Sequence, residues 1–270
     1  MQFMKRLLYP IRKAAARFVD VHGVDTLGLV AKVDAQITIL AKLPSEAIIY
    51  KAACILAAEK VEGDYLEFGV FSGRSFIQAY HVLKTEYELQ CIVGPGKTEK
   101  DAREIRQAWE VMRFFAFDSF QGLPDLDGID TQGADFTAGK YAYSEQDFCA
   151  NLTAAGVPLE RVTTVPGWFE DTCIPETIKR LGLQKAAVVH IDGDLYSSAK
   201  TALTFVTPLL QDGTVIIFDD WYSFRGNPKR GEQRAFADWQ DSLPQWTFTQ
   251  FQKEGSSRNS FIANLIERDE

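Results

Sequence analysis

The sequence predicts an α/β domain with a doubly wound, mostly parallel sheet of seven strands, an antiparallel terminal strand and an N-terminal helical extension. From residue 64 onward, short apolar runs alternate with stretches of helix-forming composition, as in βαβ units. Two of the runs, AAVVHI and TVIIF, are almost continuously apolar, which is typical of strands buried on both faces. The last two runs are separated by a short polar turn, which predicts an antiparallel hairpin.

The chain is predicted to divide into an extension, residues 1–59, and one main domain, residues 60–270, because no Pro-, Gly- or Ser-rich linker interrupts the second part. Residues 2–21 carry apolar and basic side chains in an amphipathic pattern that Pro10 interrupts. We expect this segment to pack on the domain or a partner subunit rather than on a membrane surface. Ser45 is placed to cap the helix EAIIYKAACILAAEK.

The strands of the main domain are predicted from their apolar runs, at 65–70, 114–120, 161–169, 186–194 and 214–220, with the hairpin after residue 245. Helices are predicted between them, at 73–83, 97–112, 144–156, 174–182, 201–213 and 230–240. CIVG (91–94) also has the composition of a short strand.

Composition excludes several classes of function. The 270-residue chain has a formal net charge of −8, which argues against a nucleic-acid-binding surface. It lacks a run of ~20 apolar residues to span a bilayer, and its N-terminus lacks the apolar core and cleavage site of a secretory signal. We therefore expect a cytoplasmic protein that acts on a small molecule, with homo-oligomerisation possible through the apolar hairpin or the extension.

The first motif is EFGVFSGRS (67–75), a glycine-rich turn between a strand and a helix. Glycines let the backbone approach a ligand closely. The motif is neither the G-x-G-x-x-G of dinucleotide sites nor a triphosphate loop, and Glu67 would repel a phosphate. It favours a ligand with a cationic group, such as the amino acid part of S-adenosylmethionine, unless the turn serves packing alone.

Two further strand ends carry candidate cofactor contacts. Asp118 ends the run FFAFD, where an acidic residue of such a fold commonly binds ribose hydroxyls; a turn or capping role is the alternative. Trp168 and Phe169 follow the next strand and are placed either to flank an adenine ring or to fill the core.

The most informative pattern is a set of four carboxylates after two consecutive buried strands: Asp192 and Asp194, then Asp219 and Asp220. Parallel strands bring such residues to one edge of the sheet, where like charges raise one another's pKa unless a cation neutralises them. Oxygen ligands favour Mg²⁺. A cation there would help a substrate hydroxyl lose its proton, and an aspartate outside its shell would accept that proton. His190, inside the buried run, is expected to be a core histidine rather than the base.

Taken in order, these motifs resemble the macrocin-type O-methyltransferases, a class I family of metal-dependent enzymes acting on hydroxyls of sugars and other natural products. The resemblance covers about residues 60–265 and rests on LEFGVFSGRS, FAFDSFQGLP, VPGWFEDT, VVHIDGDLYSS, GTVIIFDDW and RGEQRAFADW.

By position, the resemblance implies that Asp192, Asp219 and Asp220 bind the cation and that Asp194 is the general base. It also implies contacts to S-adenosylmethionine from Glu67, Gly69, Ser75, Asp118, Ser119 and Trp168, with Arg74 and Tyr196 as further candidates.

Two other functions are compatible with much of this pattern, and a third is not. A catechol-type O-methyltransferase acting on an aromatic diol would use the metal in the same way, and a non-catalytic protein that binds S-adenosylmethionine would keep the fold. An NAD- or nucleotide-sugar-dependent oxidoreductase would need a phosphate-binding glycine pattern that is absent. Two features depart from the family pattern. The stretch 88–112 is longer than the corresponding family segment, so we expect it to form a lid, an interface or a surface elaboration. The N-terminal region and the loop 121–140, which this resemblance places over the substrate, match no motif that names the acceptor.

Overall fold

A computed structural model describes residues 47–92, 98–126, 128–131 and 136–266. The amphipathic helices expected within residues 2–21 and the capping residue Ser45 lie outside this set. Among the described residues, no helix is both long enough and apolar enough to cross a membrane.

The centre of the fold is one seven-stranded sheet in the order β3-β2-β1-β4-β5-β7-β6. Its strands are β1 Asp64–Phe68, β2 Phe114–Asp118, β3 Val162–Pro166, β4 Ala186–Ile191, β5 Thr214–Phe218, β6 Trp246–Glu254 and β7 Arg258–Leu265. Strands β1 to β5 pair in parallel, whereas β7 runs antiparallel to both β5 and β6. This confirms the predicted fold class, with the reversed strand β7 lying inside the edge strand β6.

The described residues form eight α-helices, of which the first precedes β1 and the other seven lie between strands: α1 Ile48–Ala58, α2 Arg74–Ile92, α3 Glu99–Val111, α4 Glu145–Ala154, α5 Phe169–Thr172, α6 Pro175–Leu181, α7 Tyr196–Val206 and α8 Gly231–Asp241.

Helices cover both faces of the sheet, and successive strand residues point to opposite faces. Tyr65 and Phe114 join the apolar cluster formed with α1, α2 and α3. Leu66 and Phe115, one residue further on, join the cluster formed with α7 and α8. The continuous apolar runs of the sequence are therefore those of a three-layer structure.

Several helix boundaries differ from the sequence-based expectations. Helix α2 continues to Ile92 instead of ending near Leu83, because Tyr87 on the same helix is fully buried and its hydroxyl donates to the Val61 carbonyl at 3.2 Å. Cys91 therefore belongs to this helix, and CIVG does not begin a strand. Helix α1 begins after Ala47, which provides no side-chain cap.

The charged segment 88–112 mainly supplies an ordinary crossover helix. Thr98 and Asp101 form a capping box at the start of α3. Ile105 and Trp109 of α3 are buried in the core. The described part of this segment thus packs on the sheet instead of forming a lid.

Candidate active site

The site lies where the order of the sheet reverses direction, between β1 and β4. In open α/β sheets, ligands bind in the crevice beyond the carboxyl ends of the strands at this point. A cavity of about 950 Å³ occupies this place and is lined by residues that follow β1, β2, β4 and β5.

Gly69 joins the glycine-rich turn to the end of β4. Its φ is +89°, and a Cβ atom built on it would lie 2.0 Å from the Asp192 carbonyl oxygen. The Asp192 amide donates to the Phe68 carbonyl at 2.8 Å, which fixes the two strand ends side by side. A glycine is therefore required here by the close approach of two backbones.

Asp118 holds the glycine-rich turn from the end of β2. Its Oδ2 accepts hydrogen bonds from the amides of Val70 and Phe71 at 2.8 and 3.1 Å, and its Oδ1 accepts one from the amide of Phe120 at 2.7 Å. Asp118 also lines the cavity. It thus has the turn-stabilising role considered as the alternative, and it remains a candidate for ribose because carboxylate oxygens accept more than one hydrogen bond.

Three of the predicted carboxylates form a compact group. Asp192, Asp219 and Asp220 each offer an oxygen, and these oxygens all lie within 4.8 Å of one another. Asp194 is buried beside them, with a positive φ of 60° that aspartate tolerates better than most residues. All four line the cavity, as their positions at the ends of β4 and β5 predict.

Two of the four carboxylates have strongly raised pKa values because the four lie close together. Burial, together with the nearby Asp219 and Asp220 carboxylates, raises the pKa of Asp192 well above its usual range. Burial and the Asp220 carboxylate raise the pKa of Asp194 to about 9. Such crowding is unfavourable unless protons or a cation reduce the negative charge.

Asp219 differs because it has cationic neighbours. Burial acts to raise its pKa, but His190 and Arg258 outweigh burial, and the pKa is lowered. Arg258, at the start of β7, forms an ion pair with Asp219 Oδ1, and His190 Nε2 lies 3.6 Å from the same oxygen. One member of the group therefore stays ionised most readily.

His190 is a buried core histidine, as expected. Its Nδ1 lies 3.3 Å from the Tyr65 hydroxyl and 3.6 Å from Glu67 Oε2. Burial acts to lower its pKa, but the Glu67 and Asp219 carboxylates outweigh burial and raise the pKa to about 10. A histidine protonated at neutral pH balances two buried acids and is unsuited to act as a base.

The other predicted cofactor residues divide into two groups. Gly69, Ser119 and Trp168 line the cavity, and so does Tyr196. Glu67 is fully buried and accepts hydrogen bonds from the hydroxyls of Ser75 and Tyr65. Neither Glu67 nor Ser75 is among the cavity-lining residues, nor is Arg74, so their contacts with a cofactor remain predictions.

Three side chains that support the site could not be predicted from the sequence, because they contact residues that are distant along the chain. Glu232 of α8 accepts a hydrogen bond from the Asp220 amide at 2.9 Å, and its carboxyl is buried, which raises its pKa.

Asp130 is the second of these side chains. It accepts hydrogen bonds from the amides of Tyr196 and Ser197 at 2.8 and 3.2 Å, and so caps α7. Arg258 contacts Asp219, as described above. Their only signal in the sequence was an acidic or basic residue next to a predicted turn or helix end.

An aromatic group forms part of the cavity wall. Phe71 and Tyr141 line the cavity with their ring centroids 6.1 Å apart, and both side chains are nearly half exposed, at 45% and 46%. The Tyr143 ring also packs against Phe71, with the ring centroids 5.2 Å apart. The cavity thus combines a carboxylate-rich interior with an apolar, aromatic wall.

Comparison with known proteins identifies relatives of the chain. A family model described as "Macrocin-O-methyltransferase (TylF)" matches residues 96–241. This range includes Asp118 and the carboxylate-bearing ends of β4 and β5.

Two curated relatives of the chain are O-methyltransferases. The chain is 32% identical over 170 residues to the 8-demethyl-8-(2,3-dimethoxy-alpha-L-rhamnosyl)-tetracenomycin-C 4'-O-methyltransferase of Streptomyces olivaceus. This match covers 61% of the chain and 55% of the relative. The chain is 30% identical over 178 residues to the mycinamicin III 3''-O-methyltransferase of Micromonospora griseorubida, and this match covers 62% of the chain and 59% of that relative. The matches thus span little more than half the length of these relatives.

Solved structures share the fold. The calicheamicin methyltransferase CalS11 superposes with a TM-score of 0.54 at 19% identity, covering 93% of this chain and 90% of that one. The O-methyltransferase NovP superposes with a TM-score of 0.51 at 23% identity, and the superposition covers 79% of this chain and 77% of NovP.

Proposed function

This chain belongs to the macrocin O-methyltransferase family, and on that premise we propose that it is a metal-dependent enzyme that transfers a methyl group from S-adenosylmethionine to a hydroxyl of a sugar or glycosylated small molecule. Both relatives named above are O-methyltransferases, which supports the reaction. The first is named for a rhamnosyl-bearing compound, which supports the class of acceptor.

The observation that carries the proposal is the position of the carboxylate group. Asp192, Asp194, Asp219 and Asp220 converge at the switch point of the sheet and border one cavity. A fold alone does not establish a function. A close group of partly buried carboxylates is costly, however, and a bound cation would neutralise its charge.

The residues present fit a divalent cation. The oxygens of Asp192, Asp219 and Asp220 lie close enough together to share one ion, and hard cations such as Mg²⁺ prefer oxygen ligands. Burial and neighbouring carboxylates raise the pKa of Asp192, which a positive charge at this point would reverse. We assign these three residues as the metal ligands.

The chemistry divides between bound groups and the chain. When bound, the cation would increase the acidity of the acceptor hydroxyl, and S-adenosylmethionine would provide the methyl group. In the overall reaction the hydroxyl proton passes to Asp194, a carbon–oxygen bond forms, and the carbon–sulfur bond of the donor breaks.

Asp194 suits the role of base through its position and environment. It borders the cavity two residues after Asp192 and is nine-tenths buried. Burial and the neighbouring Asp220 carboxylate raise its pKa, so the ionised Asp194 carboxylate would be a stronger base than a carboxylate in water. Its φ of 60° keeps the residue in a fixed backbone turn before α7.

The remaining residues bind and orient the donor. Asp118 and the turn that it holds place free carboxylate lone pairs at the end of β2, where a ribose would lie. Trp168 offers an aromatic face at the end of β3. Phe71 and Tyr141 add apolar ring surface to the same cavity.

Calorimetric titration tests the proposal without knowledge of the acceptor. S-adenosylmethionine and Mg²⁺ are titrated separately into the wild type, into Asp219→Asn/Asp220→Asn, and into Asp241→Asn, which removes an exposed carboxylate at the end of α8. We expect the cofactor to bind all three proteins and Mg²⁺ to bind only the wild type and Asp241→Asn. Failure of the cofactor to bind the wild type would refute the proposed function, and unchanged Mg²⁺ binding by the double variant would refute the metal site.

A further inference from the structure

We propose that Arg258 is a positioning residue that holds the Asp219 carboxylate in the orientation in which it binds the divalent cation. The inference rests on the proposed metal site and adds to it a residue from the C-terminal hairpin. It is carried by the pairing of β5 with β7, by the ion pair between the two side chains, and by the side from which Arg258 approaches Asp219.

Sheet pairing places Arg258 beside Asp219. Strands β5 and β7 are antiparallel, and Phe218 at the end of β5 lies opposite Asn259. Asp219 follows Phe218 and Arg258 precedes Asn259, so the same register brings these two residues next to each other. Arg258 Nε forms an ion pair with Asp219 Oδ1. The backbone ladder of the sheet, and not a flexible loop, therefore sets the position of this contact.

Arg258 reaches Asp219 from outside the cavity. Asp219 lines the cavity, whereas Arg258 and His190 do not. Both basic side chains line a separate void of about 20 Å³ between the sheet and helices α1 and α2. Asp219 Oδ1, the oxygen nearest to both of them, is fully buried. This leaves Oδ2 as the Asp219 oxygen available to a cation in the cavity.

The guanidinium of Arg258 is also held by a second carboxylate. Its Nη1 lies 3.8 Å from Glu254 Oε1. Glu254 Oε2 in turn accepts a hydrogen bond from the amide of Ile48, the first residue of α1, at 2.8 Å. The planar guanidinium contacts the two carboxylates through different nitrogens, which fixes its orientation as well as its position.

The two neighbouring metal ligands are each held by the chain through one oxygen. Of the four carboxylates, Asp219 is the one with a basic side chain within 4.0 Å among the described residues. Asp220 Oδ1 instead accepts a hydrogen bond from the Ser223 hydroxyl at 2.7 Å. Groups that hold a ligating carboxylate in this way orient it, and their loss typically lowers metal affinity by about 10–100-fold.

The positive charge of Arg258 also acts against the cation. Repulsion alone predicts that removing this charge would tighten Mg²⁺ binding. Orientation outweighs repulsion here, because the charge of Arg258 is already offset by Asp219 and Glu254. The two effects have opposite signs, so the direction of the change in affinity distinguishes them.

Calorimetric titration of Mg²⁺ and, separately, S-adenosylmethionine into the wild type, Arg258→Met and Arg258→Lys tests the inference. Arg113→Met is the matched control, because Arg113 Nη2 pairs with the buried carboxylate of Asp64 at 2.5 Å. Asp64 begins β1 and so lies at the end of the strand away from the cavity. Near-UV circular dichroism shows whether each variant is folded.

We expect Arg258→Met to bind Mg²⁺ roughly tenfold or more weakly than the wild type. Arg258→Lys should bind it roughly threefold or more weakly, because a single ammonium group cannot reproduce both contacts of the guanidinium. Arg113→Met should bind Mg²⁺ with wild-type affinity. All three variants should bind S-adenosylmethionine as the wild type does, because the proposed cofactor contacts lie at the ends of other strands.

Unchanged or tighter Mg²⁺ binding by folded Arg258→Met would overturn the inference. If that variant does not fold, Arg258→Lys decides, and wild-type Mg²⁺ affinity in it would have the same meaning. An equal loss of affinity for S-adenosylmethionine in the Arg258 variants would show general damage and so also refute a positioning role. Failure of the wild type to bind Mg²⁺ would refute the proposed metal site together with this inference, whereas the other outcomes refute the inference alone.

Discussion

Single residues at this site act mainly through contacts that bridge distant parts of the chain. Glu232 shows this clearly, because its buried carboxyl holds the Asp220 amide from a different element at 2.9 Å. Burial raises the pKa of Glu232, and the nearby carboxylates add to the effect. Both effects favour the uncharged form of the side chain, which still has an acceptor oxygen for that amide.

Replacing Glu232 separates its shape from its charge. Glu232→Gln keeps an acceptor for the Asp220 amide, and we expect a free energy of unfolding close to that of the wild type. Glu232→Leu leaves that amide without its partner, at a cost of about 1–3 kcal/mol. Urea denaturation at pH 7 measures both values, and equal stability of the two variants would contradict the role.

Gly69 provides a second test at a single position. Gly69→Ala places a methyl group against the Asp192 carbonyl oxygen, so we expect a loss of roughly 3 kcal/mol or more. Gly156→Ala is the control: its φ is +75°, but nothing lies within 4 Å of the added Cβ, so only the conformational cost of ~1 kcal/mol should appear. Thermal unfolding of the two variants measures the difference, and similar losses would show that the close approach to Asp192 is unimportant.

The sequence predicted the residues that carry the chemistry better than those that support them. The carboxylates of Asp192, Asp194, Asp219 and Asp220 follow obvious strands, so topology alone brings them together. Arg258 and Glu232 reach them only through the packing of β7 and α8. No local pattern encodes such contacts.

At the scale of elements, helix α7 depends on a cap from outside its own sequence. Asp130 accepts hydrogen bonds from the first amides of α7, although it lies 66 residues before Tyr196. We expect Asp130→Ala to destabilise the protein by about 1 kcal/mol and Asp130→Asn to retain most of the cap.

Hydrogen exchange locates this effect. In Asp130→Ala the amides of Tyr196 and Ser197 should exchange faster than in the wild type, whereas the strand β5 should be unaffected. Unchanged exchange at both amides would show that the cap contributes nothing in solution.

The link between α1 and α3 predicts a dependence of stability on pH. Lys60 donates hydrogen bonds to Asp101 and Glu104, at 2.7 Å for the latter, and the bond from Lys60 holds the pKa of Asp101 well below its usual value of 3.8. A carboxyl whose pKa is lowered in the folded state stabilises the protein above its unfolded pKa, and this contribution is lost as the pH falls. Lys60→Met should therefore be less stable than the wild type at pH 7, and the difference should shrink by pH 3. Chemical denaturation at both pH values measures the difference, and one that stays constant would contradict the assignment.

Helix boundaries were the least predictable feature of the elements. The core face of α2 extends through Tyr87, whose burial depends on Val61 and on the packing of α3. Composition alone suggested an earlier end and a strand at CIVG, because tertiary contacts outweigh local preference.

At the scale of the whole molecule, the alternation of apolar runs and helices was enough to predict the doubly wound sheet and the hairpin. The order of the strands places β1 beside β4 and so positions the cavity. The aromatic part of the cavity wall could not be predicted, because Phe71 follows β1 and Tyr141 lies in the loop beyond β2, and only the folded chain brings the two rings together.

The most direct test of the central claim is anomalous diffraction from crystals of the protein grown with Mn²⁺ and S-adenosylhomocysteine. The account predicts a manganese peak within bonding distance of Asp192, Asp219 and Asp220, with the cofactor beside Asp118 and Trp168 in the same cavity. Manganese bound elsewhere, or an occupied cofactor site without manganese at these three carboxylates, would contradict it.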